Sequence, residues 1–173
     1  PQSPVEMLTL SETTIATQYN LIKVGGDIPA LTGVCKAVIA LDDAARDAGR
    51  ARVIDVSFIE QHTHGFEEFA NYCRNTTWEM IEQGSGLGRT QIEQAANTYA
   101  KSKACLGIYG MGVTQQIKGT QNVHMICNLL LLRGNIGKPG GNVIPVRGHS
   151  NVQGQRTVGI TEKPELALSL IHI

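Results

Sequence analysis

The sequence predicts an α/β domain: an open, mostly parallel sheet flanked by helices. Three observations carry this. Two apolar segments each run through a glycine turn into a helical stripe, "LIKVGGD" and "ACLGIYGMG". Between them lies a succession of helices with capping residues at their starts. Strand, turn and helix alternating along the chain is the order of a parallel sheet with crossover helices.

The elements follow in order. "NLIKVGGDIPALTGVCKAVIAL" reads as a short strand, a Gly-Gly turn and a helix. Asp27 is placed as its N-cap, and Pro29 falls in the first turn, where proline is tolerated. Leu31, Val34, Cys35, Val38 and Ile39 recur at helical spacing, and the charged "DDAARDAGRAR" ends the helix. "DVSFIEQHTHGFEEFANYC" predicts two short helices, the first capped by Asp55. Thr76 with Glu79, and Thr90 with Glu93, fit capping boxes. Ile92, Ala95, Ala96 and Tyr99 then form an apolar stripe.

"ACLGIYGMG" predicts a buried strand entering a glycine turn. In the helix that follows, Val123, Ile126, Cys127, Leu130 and Leu131 share a face. Arg133 suits the negative helix end, Gly134 the position just past it, and Pro139 bars continuation. "NVIPV" is a short extended piece leading into "RGHSNVQGQRTVGI".

At 173 residues the chain fits one domain, burying roughly two-thirds of its unfolded surface. Its composition is that of a globular protein, 42% hydrophobic and 17% charged, which excludes a disordered chain. No apolar run reaches the roughly 20 residues of a membrane span, and "PQSPVEMLTL" lacks the basic start of a signal peptide. Cys35, Cys73, Cys105 and Cys127 are widely separated, without the C-x-x-C pair of a metal site. They read as reduced, mostly buried thiols, and the expected compartment is the cytoplasm.

The formal charge of zero conceals a division. Residues 1–93 hold thirteen acids against seven Lys and Arg, whereas residues 94–161 hold no acid. That acid-free span carries Lys101, Lys103, Lys118, Arg133, Lys138, Arg147 and Arg156. Solvated faces mix both signs, so the segregation points to a surface facing an anion. Aromatics at 5% and the absence of a recognition motif give a nucleic-acid partner no support.

Glycine turns after strands let backbone amides approach phosphate. Yet "GIYGMG" is G-x-x-G-x-G, not the nicotinamide G-x-G-x-x-G, and no acid follows about 20 residues on to hold a ribose. A nicotinamide dehydrogenase is therefore disfavoured. His62 and His64 lie two apart with no third ligand in view and read as helix-end or surface residues. Arg147 and His149 sit together in a loop without acids, an arrangement that suits phosphate or carboxylate.

"GMGVTQ" followed by "NLLLLRGNIGKPGGNVIPVRGHSNVQG" resembles the molybdopterin oxidoreductases related to the formate dehydrogenase catalytic subunit. The resemblance covers nearly the whole chain, from "LIKVGGD" to "RTVGI". It implies the α/β domain of the formate dehydrogenase and dimethyl sulfoxide reductase type, as a single domain over residues 1–160 of a longer polypeptide. Residues 161–173 read as a truncated or non-native tail.

The resemblance also implies a cofactor: molybdenum or tungsten held between two molybdopterin guanine dinucleotides, with an iron–sulfur cluster in the remaining part of the chain. The "GGD" turn matches the nucleotide contact, implicating Gly25, Gly26 and Asp27. The pterin and active-site loop matches Gly110, Met111, Gly112 and Gln115. "RGHSNVQG" matches the loop bordering the metal, implicating Arg147, Gly148, Asn151 and Gln153. Arg147 and His149 would be the catalytic pair, and no residue of this span matches the family's metal ligand. Formate dehydrogenases read Arg-Gly-Gln where this chain reads Arg-Gly-His, which puts formate itself in question. The implied partners are a small-molecule substrate, a redox partner and the other domains of the full-length chain, with neither nucleic acid nor membrane. The competing class is a non-catalytic nucleotide- or anion-binding module.

Overall fold

The computed structural model describes residues 4–9 and 15–146. The chain divides into two compact units, residues 1–103 and 104–173.

The first unit is helical. After a single-turn α1 (Pro4–Thr9), it comprises α2 (Asp27–Asp47), α3 (Val56–His62), α4 (Phe66–Asn75), α5 (Trp78–Ser85) and α6 (Arg89–Lys101). The long α2 is its centre, packed by α4, α5 and α6. From α2, Cys35, Val38 and Ile39 are buried, as their helical spacing predicts, while Ile81, Ile92 and Ala96 close the core from α5 and α6. Each large buried aliphatic contributes roughly 1.5–3 kcal/mol through removal from water.

Several local expectations need correction. "LIKV" is not a strand: Leu21 and Val24 are 74% and 101% exposed. A strand needs a ladder, and here the Lys23 amide donates instead to the Ser85 carbonyl at 2.8 Å, while Ile22 packs on Ala30, Ile81, Leu87 and Ile92. Asp27 is the first residue of α2 and Gly26 is its N-cap. The helix also runs six residues into the charged stretch before Gly49, at φ 62°, follows its end. It does so because Asp42 turns inward and finds partners. The caps of α5 and α6 are displaced too. Thr77, not Thr76, accepts the Met80 amide at 3.2 Å, and α6 starts from Gly88, whose amide donates to Gln91 Oε1 at 3.1 Å. Asp55 caps α3 as predicted, accepting the Phe58 amide at 3.0 Å.

The second unit is a β–α–β arrangement: β1 (Leu106–Tyr109), α7 (Met111–Thr114), α8 (Gly119–Leu131) and β2 (Asn142–Pro145). The strands pair in parallel, Leu106 opposite Asn142 through Tyr109 opposite Pro145. This is the α/β, parallel character that the sequence predicts, but the described sheet has two strands. Gly107 lets α8 lie close on it, since a Cβ there would stand 2.9 Å from Leu130 Cδ1. Strand β1 is not buried on both faces; Leu106 and Ile108 are 47% and 63% exposed. The buried stripe of α8 centres on Asn122, Met125 and Leu130, while Val123, Ile126, Cys127 and Leu131 are half-buried. Gly134 has φ 58° just past α8, as its position suggests. Among the described residues no helix is long and apolar enough to cross a membrane.

Candidate functional site

The second unit places Gly110, Met111, Gly112 and Gln115 at one edge of the sheet. In a parallel pair both carboxyl ends emerge on the same side, the side where open α/β sheets take ligands. Gly110 follows β1 directly, and the chain leaves β2 through Val146. The Val146 amide donates to the Tyr109 carbonyl at 2.7 Å. A Cβ on Gly110 would lie 3.9 Å from the Val146 carbonyl oxygen. Arg147 is joined to Val146 by one peptide bond, but Arg147, Gly148, His149, Asn151 and Gln153 lie outside the described residues.

The "GMGVTQ" turn is held from below. The Gln115 amide donates to the Met111 carbonyl at 2.8 Å, and Gln116 Nε2 donates to the Gly112 carbonyl at 2.6 Å. Buried Asn122 reaches back from α8, its Nδ2 donating to the Val113 carbonyl at 2.9 Å. Buried Asn135 does the same for the entry to β1, accepting the Cys105 amide on Oδ1 at 3.1 Å. These two asparagines were not singled out from the sequence. For Asn122 the available signal was a polar residue three and four positions before the apolar Met125 and Ile126, on a face that a helix buries.

What the turn offers outward is donors and space. The amides of Met111 and Gly112 have no acceptor among the described residues, as expected at a helix start. A Cβ on Gly112 would meet nothing within 4 Å, and Gln115 is exposed. The described part of this unit has Lys118, Arg133 and Lys138 but no carboxylate side chain. Free amides, an amide side chain and open space over glycine, in a unit whose described part has no carboxylate, are the chemistry of an anion site.

Gly25, Gly26 and Asp27 belong to the first unit, at the start of α2. Here packing accounts for part of the pattern. Gly25 takes φ 79° in the turn, and a Cβ on Gly26 would stand 2.9 Å from the Gly84 carbonyl oxygen. Gly26 is therefore required where the turn meets the end of α5, irrespective of any ligand. Asp27 lies in the first turn of α2, where a carboxylate complements the helix dipole.

The thiols are free, with Cys35 and Cys73 buried and Cys105 and Cys127 half-buried. Burial pushes the Cys73 thiol up to about 11, against the opposing charges of Lys36 and Arg74, and it also raises Cys35, Cys105 and Cys127. Among the described residues no group of three His, Cys, Asp or Glu side chains could hold a metal ion. His62 closes α3, its ring 4.9 Å from that of Phe58.

Known proteins extend this picture. Escherichia coli protein YdeP is 52% identical over 164 residues, which is 95% of this chain and 22% of YdeP. Formate dehydrogenase H of Escherichia coli is 34% identical over 84% of the chain and 19% of its own length. An uncharacterized oxidoreductase of Mycobacterium bovis, Mb2924c, is 34% identical over 91% of the chain and 20% of its own length. The chain is thus similar, over most of its own length, to proteins named as oxidoreductase and formate dehydrogenase. It spans about a fifth of the length of the curated relatives it matches. No family model matches the chain.

Proposed function

We propose that the chain is the cofactor-binding part of the catalytic subunit of a molybdenum or tungsten oxidoreductase of the formate-dehydrogenase-like kind. The observation that carries the reading is the parallel β1–β2 pair, whose carboxyl ends bring the "GMGVTQ" turn and the approach to Arg147 to one edge, within a span that has no acid from Gln94 to Thr161. The residues present fit a bis-molybdopterin guanine dinucleotide: its phosphates are anions, and open space over Gly112 with two free amides suits their close approach. The two-stranded sheet would belong to the open, mostly parallel sheet of a cofactor domain spanning residues 1–160, in a cytoplasmic enzyme.

When bound, the metal centre supplies two-electron redox chemistry on a small substrate. The chain's own residues would bind and orient. Gly110, Met111, Gly112 and Gln115 would hold the pterin side through backbone and amide donors, with Gly148, Asn151 and Gln153 extending that surface. Gly25, Gly26 and Asp27 would meet a nucleotide end. Arg147 would fix a substrate anion by its guanidinium fork. His149 would carry a proton to or from substrate, the role for which imidazole is the usual side chain. The metal ligand, any iron–sulfur cluster and the redox partner's docking site would lie in the rest of the polypeptide.

The test is the full-length protein from a host that makes the cofactor, as wild type and as Gly112→Leu. Leucine would fill the space left open over Gly112, so bound pterin is expected to fall several-fold with the circular dichroism unchanged. Equal pterin in both proteins would contradict this placement. The alternative, a non-catalytic nucleotide- or anion-binding module, shares the cationic donors and predicts bound phosphate without metal.

A further inference from the structure

The helical unit contains a cleft of about 420 Å³ that none of the glycine motifs uses. Ala37, Ala40 and Leu41 of α2 give it an apolar floor, and Trp78 of α5 forms a wall. Three cations from three helices line it, Lys36, Arg74 and Arg89, against the two carboxylates Asp43 and Glu93.

The cations are held in place. Lys36 Nζ donates to the carbonyls of Arg74 at 2.7 Å and Cys73 at 3.4 Å, at the end of α4. Arg74 donates through Nε and Nη2 to the two oxygens of Asp43, each at 3.1 Å. Arg89 Nε donates to Glu93 at 2.7 Å, and its guanidinium carbon stands 4.8 Å from the Trp78 ring centre. Lys36 Nζ stands 5.9 Å from the same ring.

These contacts orient the donors without exhausting them. A guanidinium has five N–H donors and an ammonium three. Nη1 of Arg74, both Nη groups of Arg89 and one N–H of Lys36 remain for a further acceptor. The Trp78 indole N–H has no acceptor among the described residues. Ion pairing accounts for Arg74–Asp43, between α4 and α2, and for Arg89–Glu93, within α6. It leaves the apolar floor open and one cation in excess.

The volume falls in the range, roughly 300–1,000 Å³, that holds small organic ligands. We propose that this cleft binds a small phosphate monoester carrying a planar ring, the chemistry of a mononucleotide. The phosphate takes the remaining donors of Arg74, Arg89 and Lys36, for which arginine forks are well shaped. The ring lies on the Ala37–Ala40–Leu41 floor beside the indole. The proposal does not depend on the cofactor reading.

Trp78 is the chain's only tryptophan, so its fluorescence reports on this cleft directly. Titrating the 173-residue chain with adenosine 5′-monophosphate is expected to change that emission saturably. Inorganic phosphate and adenosine, each half of the probe, should bind at least tenfold more weakly. Arg89→Gln should weaken the monophosphate at least tenfold, and Ala40→Leu, which fills the floor and keeps every charge, should do the same. Lys101→Gln, an exposed change outside the cleft, should leave affinity unaltered, with circular dichroism confirming all three folds. A non-saturable change, equal binding of inorganic phosphate alone, or binding that survives both cleft substitutions overturns the proposal.

Discussion

Asp42 is the residue that most constrains the helical unit. Its side chain is 2% exposed, and it accepts from Arg52 Nε at 3.0 Å and from the amides of Val53 and Ile54 at 2.8 and 3.2 Å. One carboxylate thereby ties the end of α2 to the loop that leads into α3. Burial alone would raise its pKa, but the Arg52 hydrogen bonds and the two amides outweigh that and lower it. The sign follows from linkage. A depressed folded-state pKa gives stability that is complete above the unfolded value, about 3.9, and lost as pH falls through the folded one. Thermal melts should therefore be level near neutrality and decline below about pH 4, and Asp42→Asn should flatten that acid limb. At pH 7, Asp42→Ala should cost about 2–3 kcal/mol in urea unfolding, because three donors lose their acceptor. Thr32 predicts the opposite sign. Its hydroxyl is buried with no hydrogen-bond partner among the described residues, so Thr32→Val should raise stability by about 1 kcal/mol. The thiols give a third outcome at this scale. Cys105 and Cys127 should react with a thiol reagent in the native protein, whereas Cys35 and Cys73 should react only on unfolding.

Among the elements, the two glycine turns look alike in sequence and differ in what they do. A methyl at Gly26 would press on the Gly84 carbonyl at 2.9 Å, so Gly26→Ala should destabilise by about 1–3 kcal/mol. A methyl at Gly112 meets nothing and sits in a helical turn, so Gly112→Ala should leave the urea midpoint equal or slightly higher. Equal losses at the two positions would contradict this separation of packing from ligand space. The sequence could not make that distinction, because two of the three atoms nearest to a Cβ on Gly26 come from Gly84 and Ser85 of α5, nearly sixty residues away. Helix α2, the two short helices that follow it, and the strand–turn–helix around Gly110 were legible, since periodicity and capping are local signals. The strand at "LIKV" was misread because four apolar-rich residues do not reveal whether a neighbouring strand exists. The α8 stripe was misplaced for a related reason: Asn122 is buried for a hydrogen bond to Val113, which hydrophobic spacing does not register.

For the whole molecule, the charge division is the feature most directly visible in the sequence and most informative in the fold. The helical unit holds the acids and neutralises several of them internally, through Arg52–Asp42, Arg74–Asp43 and Arg89–Glu93. The β–α–β unit has no acid from its first residue to Thr161, so its cations have no carboxylate of their own unit to answer within that span. The parallel pairing of β1 and β2 turns that composition into a place, the sheet edge where Gly110 and the approach to Arg147 emerge. The central claim is that this edge holds an anionic metal–pterin cofactor. Its most direct measurement is the metal and pterin content of the full-length protein, purified from a cofactor-competent host. The account predicts molybdenum or tungsten in fixed proportion to protein, together with guanine-containing pterin. Metal-free, pterin-free protein from such a host would contradict it.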